Sequence, residues 1–385
     1  MKMKKYFSLL LFLFFAISFQ LRGQVTDTVK YQKDPILYTF VINKIPDKCN
    51  IPLIGFINEA NGNHEGLQLG FVNNTKNDFE GLSLGLSNNV GGKVTGVQIG
   101  FFNSVMKLSK RLPIGFFNTH SESFKGVQVG FFNTLGDSAN GLQVGFFNTL
   151  GDSYQGVQVG FFNTLGKDIN GAQVGFINTL GNSSHGLEIG FVNTVGNTAN
   201  GVQVGLLNSA SKLRGLQLGF INRVDTVEKG IPVGFLSFVK KGGFRAWEIG
   251  TTEMFPLNIS YKTGLKNFYT SLVASYSPSS TNPFAFGVGL GSILPITKIV
   301  SFNPELLSQT TFADSWNQIY SIHLNFNYNL TNRFSIVAGP TLVWNNMNDV
   351  SEFHKQTFAI YKTELNFRNQ LLVGLNVALR YQVGK

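Results

Sequence analysis

Two carboxylates at equivalent positions of a repeated segment are the first residues that invite a chemical reading. Asp137 and Asp152 stand fifteen residues apart, a spacing that would stack them on one face of a coiled chain, where paired carboxylates do acid–base work. The row does not continue, because Lys167 and Asn182 hold the next two equivalent positions, and acidic residues in a Gly/Ser/Asn setting read as turn solvation. The histidines, at 64, 120, 185, 323 and 354, are scattered without metal-ligand spacing. Cys49 is the single cysteine, so neither an intramolecular disulfide nor a thiolate cluster is available. Gly287-Val288-Gly289-Leu290-Gly291 alternates as a strand does and opens no helix, which makes it a poor dinucleotide loop. No catalytic residue, metal ligand or cofactor is expected.

The regular polar columns are richer. Glycines recur at 66, 81, 96, 126, 141, 156, 171, 186 and 201, then at 215 and 230 after a one-residue deletion, and a second glycine follows each four residues later. Phe or Leu comes next, then a mostly apolar residue, then Asn at 58, 73, 88, 103, 118, 133, 148, 163, 178, 193, 208 and 222, with Ser237 in the last of thirteen copies. Self-similarity at a fixed period is the signature of a stacked architecture. Asn133, Asn148, Asn163, Asn178 and Asn193 are expected to form a structural ladder, each amide bonding the copies above and below. Gln128, Gln143, Gln158, Gln173 and Gln203 are expected to form an outward ladder, a possible exposed surface for hydrogen bonding to glycan or protein. A hydroxyl column at Thr119, Thr134, Thr149, Thr164, Thr179 and Thr194 is read as capping turns.

The elements that position these columns follow from the local pattern. Val127, Gln128 and Val129 alternate as a strand does, whereas two glycines in every fifteen residues, β-branched residues and Asn at the breaks exclude a helix. Gly136-Asp137-Ser138-Ala139-Asn140 has the residues of a turn. A β-solenoid of about thirteen coils is the expected fold, with Val127 over Leu142 and Val157, Phe131 over Phe146 and Phe161, and these apolar ladders filling a narrow core. The alternative is one large antiparallel barrel in which each repeat is a strand and a turn. Equal connection lengths favour the solenoid, because membrane barrels alternate short turns with long loops.

After residue 243 the period fades and the strands lengthen. Val373, Leu375, Val377, Leu379 and Tyr381 alternate with Gly374, Asn376, Ala378 and Arg380. Ile322, Leu324, Phe326 and Tyr328 alternate with His323, Asn325 and Asn327. Runs of about ten residues with one apolar face suit a tilted strand crossing a bilayer. About eight or nine such runs predict an antiparallel β-barrel-like domain, with Tyr261, Tyr269, Tyr276, Trp344 and Tyr361 near run ends as candidates for interfacial girdles. The chain ends Val383-Gly384-Lys385, without the terminal aromatic common in outer-membrane barrels.

Charged residues make up only 14% of the 385 residues, low for a soluble surface. Lys2, Lys4 and Lys5 precede an apolar run from Phe7 to Phe19, which reads as a signal peptide over 1–23 and hence an exported chain. Removing those lysines and Arg22 takes the formal charge from +10 to +6, dispersed without basic runs, so no nucleic acid is expected as partner. The expected organisation is 1–23 signal peptide, 24–50 lead-in or cap, 51–242 repeats and 243–385 barrel-like domain.

The blocks Gly126-Val127-Gln128-Val129-Gly130-Phe131-Phe132-Asn133 and their siblings resemble the surface repeat-containing proteins first named in leptospires, over about half of the chain. The C-terminal region resembles the small outer-membrane barrels common in Bacteroidetes. The resemblance implies an outer-membrane or cell-surface location, with outer-membrane lipid as a partner, and supplies no site residues. Two functions are expected to compete: a non-enzymatic surface protein serving as structural spacer or interaction surface, and a pore or transport barrel built partly from the repeats.

Overall fold

The computed structural model describes residues 36–48, 50–107, 109–278, 283–311, 317–346, 359–366 and 369–383; the signal-peptide reading, Cys49 and His354 lie outside them. Every element of the described chain is a strand, and the strands form two sheets. In the first, from Ile42 onward, each strand pairs in parallel with the equivalent strand one repeat away. A typical coil has a longer strand (Ala139–Val144), a bend at Gly145-Phe146, a shorter strand (Phe147–Leu150) and a turn over 151–153. Val127 lies beside Leu142, which lies beside Val157, as the period predicts. The repeats are thus a β-solenoid, and the all-antiparallel barrel is excluded by the parallel register. Pairing reaches back to Asn43, which already bonds Asn58 as the later asparagines bond one another.

Which residues face inward is where the structure departs from the expected core. Four side chains per coil are buried: Gln128, Asn133, Leu135 and Ala139 in one copy. Leu135, Leu150, Leu165 and Leu180 stack with Phe124, Tyr154 and Ile169 into an apolar core at the turn end of the coil. The Gln and Asn columns line the other end, inside the Gly-Phe bend. The Val and Phe ladders, expected to fill the core, lie on the outside, with Phe131 38% exposed. Their register is as read: Phe131, Phe146 and Phe161 stack with ring centroids 4.9 Å apart and nearly parallel planes. The threonine column lies within the shorter strands, between the inward Asn and Leu columns, and does not occupy turns.

Glycine is required at the bend for a steric reason. A Cβ on Gly145 would sit 2.2 Å from the Gly130 carbonyl oxygen and 2.6 Å from Asn133 Nδ2, so a side chain there would break both the strand spacing and the Asn column.

The second sheet closes into a barrel. Eight antiparallel strands (Phe244–Thr251, Leu257–Leu265, Phe268–Tyr276, Phe284–Gly291, Val300–Thr311, Asn317–Asn329, Phe334–Asn346 and Asn369–Gln382) pair in sequence, and the last returns to the first through Trp247 and Tyr381. The strand Tyr361–Asn366 adds to the upper part of the last one. An even strand number puts both barrel termini at one end, together with the connections 266–267, 292–299 and 330–333. At the opposite end the strands finish at Thr251, Tyr276, Thr311 and Asn346, and 347–368 is the longest stretch of sequence between two barrel strands.

Each coil contacts only its neighbours, so stability is close to a sum over coils and coil interfaces. Deleting residues 141–155 should leave the strand signature in circular dichroism and the melting temperature within a few degrees of the parent. Deleting residues 141–147 shifts every inward residue off its column and should abolish the cooperative melt.

Candidate functional site

Two features carry the functional argument: the amide columns of the solenoid and the wall and interior of the barrel. Asn133, Asn148, Asn163, Asn178 and Asn193 are each at most 1% exposed and form the expected ladder. Asn133 Nδ2 donates to Asn148 Oδ1 at 2.9 Å and to the Val144 carbonyl at 2.9 Å, and the same pair of bonds recurs along the column. Both amide hydrogens are spent inside the fold, so the column is structural.

Gln128, Gln143, Gln158, Gln173 and Gln203 are also at most 1% exposed, which corrects the expectation of an outward ladder available to a ligand. The alternation holds in parity and is reversed in sign: Gln faces in and the flanking valines face out. Gln143, Gln158 and Gln173 each donate to the glutamine one coil earlier, at 2.6–2.8 Å. Leu53, Ser83, Pro113, Glu188 and Pro232 stand where the column would have glutamine, and two of these interruptions, Pro113 and Glu188, bring an ionisable side chain inside. At Pro113 no amide is present, and Arg111 turns inward from a position glycine usually holds to bond Gln98. Among the described residues it has no acidic partner, and burial lowers its pKa to about 9. At Glu188 the donor is missing: Gln203 donates to Glu188 Oε2, but Glu188 Oε1 and Gln173 Oε1 are both left without partners. Burial raises the Glu188 pKa, against the lowering effect of hydrogen bonds from Gln203 and Ser184.

The barrel obeys the same inside-out rule, and here the sequence reading of sidedness holds. Ile322, Leu324, Phe326 and Tyr328 face outward, while Ser321, His323, Asn325 and Asn327 are buried within. Across the wall, Trp247 packs on Tyr261 and Tyr320 on Trp344. Tyr269 departs from the girdle reading, because it is fully buried inside the barrel.

The barrel interior is a closed ion-pair network. Arg380 Nε bonds Glu248 Oε2 at 2.7 Å and its Nη2 bonds Asn303 Oδ1 at 2.6 Å; Lys262 bridges Glu248 at 3.2 Å and also pairs with Glu305, which accepts from Tyr269. Two cations thus face two carboxylates, and buried charges held in mutual hydrogen bonds avoid the large cost of an unpaired ion. Toward the end with the longest connection, Met254 and Phe255 fold inward against Ala285, Ile319, Val343 and Leu372, and Thr341 donates to Glu253 at 2.6 Å. Free space among these groups is about 30 Å³, room for about one water. The pairs join strands distant in sequence, such as Glu248 with Arg380, which is why a scan for local motifs does not find them.

The surface carboxylates do no comparable work. Asp152 pairs with Lys167 at 3.0 Å in solvent. Among the described residues, no three His, Cys, Asp or Glu side chains converge as a metal-binding group.

No family model and no curated protein matches the chain. Among solved structures, the crystal structure of Neisserial surface protein A is similar at 9% sequence identity with a TM-score of 0.20, over 36% of this chain and 93% of that one.

The column geometry predicts opposite outcomes for two substitutions. Asn148→Ala removes a donor to Asn163 and an acceptor from Asn133, and should lower stability by about 2–4 kcal/mol in denaturant melts. Glu188→Gln supplies the missing donor to Gln173 and should raise stability at pH 7 by about 1–3 kcal/mol. The raised native pKa means that wild-type stability is greatest below the ordinary Glu value of 4.5 and falls as pH rises through the native value. The gap between wild type and Glu188→Gln should therefore close on acidification, read as the difference between their melting temperatures across pH 4 to 8.

Proposed function

We propose that this chain is a non-enzymatic outer-membrane protein of the surface-repeat kind, exported to the outer membrane and anchored there by its C-terminal barrel. The solenoid is then held at the membrane as a structural spacer or interaction surface. The observation that carries this reading is the sidedness of the barrel. Its outer wall presents large apolar side chains, with Phe286 52% and Phe326 50% exposed, while Lys262, Arg380, Glu248 and Glu305 are turned inward and paired. A barrel in water would bury the first set and solvate the second; a barrel in hydrocarbon needs this arrangement, because closure satisfies every ladder hydrogen bond and the lipid takes the apolar wall.

The competing pore reading has less support. Its repeats would have to be wall strands, whereas they pair in parallel in a sheet of their own, and its lumen would have to be open, whereas side chains from Glu248 to Arg380 fill it. A non-enzymatic role is favoured by the pairing of Lys262 and Arg380 with Glu248 and Glu305, which leaves the buried charges of the network engaged with one another.

Membrane fractionation with a carbonate wash, applied to the full chain and to residues 243–385, checks the anchor. Both should remain in the outer-membrane fraction, and the fragment should migrate differently on gels before and after boiling. Release of both by carbonate would overturn the anchor. Planar bilayers containing the full chain should show no steady conductance, and a stable open channel would restore the pore reading.

A further inference from the structure

Four side-chain positions of each coil point outward around the Gly-Phe bend, those of Val127, Val129, Phe131 and Phe132 in one copy. Across all thirteen copies these positions hold only apolar residues, with Ser87 as the exception, and none is charged. At a strand spacing of about 4.8 Å, the columns make an uninterrupted apolar edge about 60 Å long and on the order of 1,000 Å² in area. Surfaces of soluble monomers rarely carry an apolar patch beyond a few hundred Å². Exposed charges of the solenoid such as Lys125, Asp137 and the Asp152–Lys167 pair sit toward the opposite edge, around the turns, while Arg111 and Glu188 are buried within the coils. The solenoid is therefore amphipathic along its length, one edge dry and the other wet.

What covers the dry edge is indicated where the solenoid meets the barrel. Thr263 Oγ1 donates to the Ser237 carbonyl at 2.6 Å and Thr270 Oγ1 to the Gly234 carbonyl at 2.7 Å. These carbonyls belong to the open end of the last coil, and they flank Phe235 and Leu236, the final members of the two aromatic columns. Both threonines alternate with the inward Lys262, Tyr269 and Ser271, so they lie on the outer side of the barrel wall. The backbone on either side of the last members of the apolar columns is thus held against the outer side of the barrel wall. The contact is at the hairpin 266–267, at the end opposite the long 347–368 segment, and in outer-membrane barrels the end opposite the long loops faces the periplasm.

We propose that the solenoid lies along the periplasmic leaflet of the outer membrane, with its Val and Phe edge seated in lipid and its turn edge in water. The inference rests on the barrel anchor proposed above. A second copy of this chain is a poorer occupant, because identical columns repeating at one coil spacing offer no polar or shaped feature to fix a register between two molecules, whereas lipid needs none.

The test uses the full chain with Cys49→Ser, reconstituted in phosphatidylethanolamine/phosphatidylglycerol vesicles, with a nitroxide on Phe146→Cys, Asp137→Cys or Phe286→Cys. Val159→Cys reports on the same edge should a label at 146 disturb the stack. Collision with oxygen reads lipid exposure and collision with a nickel chelate reads water exposure. Labels at 146 and 286 should meet the chelate several-fold less than the label at 137. A protected 286 beside a water-exposed 146 would overturn the lipid-seated solenoid and leave the anchor standing. Water exposure at both would remove the anchor and this proposal with it. Protection at 146 accompanied by spin–spin broadening that unlabelled protein dilutes away would show a second copy on the edge, and would overturn the proposal as well.

Discussion

A buried side-chain amide must find its partners within the fold, and in a stack of equal coils those partners are the same residue one coil above and one below. This reciprocal bonding constrains the rest of the solenoid. It requires the segment from Gln to Asn to keep its length, because an inserted residue there would put an apolar group opposite an amide; the one-residue deletion before Gly215 lies outside that segment and leaves Asn208 bonded to Asn222. It requires glycine at the bend, since a Cβ on Gly145 would meet Asn133 Nδ2. It also consumes half of the four inward positions, Gln128 and Asn133, so that Leu135 and Ala139 are all that is left for an apolar core. The apolar residues that remain, Val127, Val129, Phe131 and Phe132, are displaced to the outside. The exterior of the solenoid is thus a consequence of what fills its interior.

The barrel solves the same problem in another geometry. Its strands alternate in and out, and interior space is taken by Lys262, Arg380, Glu248 and Glu305, whose charges cancel in pairs, and by Asn303 and Tyr269, which link them. A lumen filled in this way holds the barrel in one register and leaves the apolar wall to the surroundings. Thr263 and Thr270 join the two units by occupying carbonyls at the open end of the solenoid, the type of unpaired strand edge that otherwise recruits further strands.

Period, register and strand character were legible in the sequence because stacked copies repeat their errors and their rules alike. The Asn column could be assigned inward because a polar group at an invariant bend position needs a partner that only stacking supplies. Sidedness of the Val-Gln-Val segment is opposite to the expectation, because alternation gives parity without saying which face is the core. A volume argument was available: a coil with four inward positions cannot hold Val127, Val129, Phe131, Phe132, Leu135 and Ala139 together. The defect at Pro113 was a second signal, since Arg111 replaces a glycine only two residues away. The barrel network was illegible for another reason. Its members sit on strands paired through closure, and Glu248 meets Arg380 only after the first strand has found the last.

The central claim is that both units are built inside out, amides and charges within, apolar side chains without. Solid-state NMR of the full chain in bilayers, with isotope-labelled Asn, Gln and Phe, reads this directly through magnetisation transfer from water and from lipid acyl chains. The account predicts that the assigned amides of the Gln and Asn columns receive almost nothing from water, in contrast to exposed amides such as Asn140 and Gln155, while the Phe rings receive strongly from lipid. Water-contacted column amides together with Phe rings silent toward lipid would contradict it.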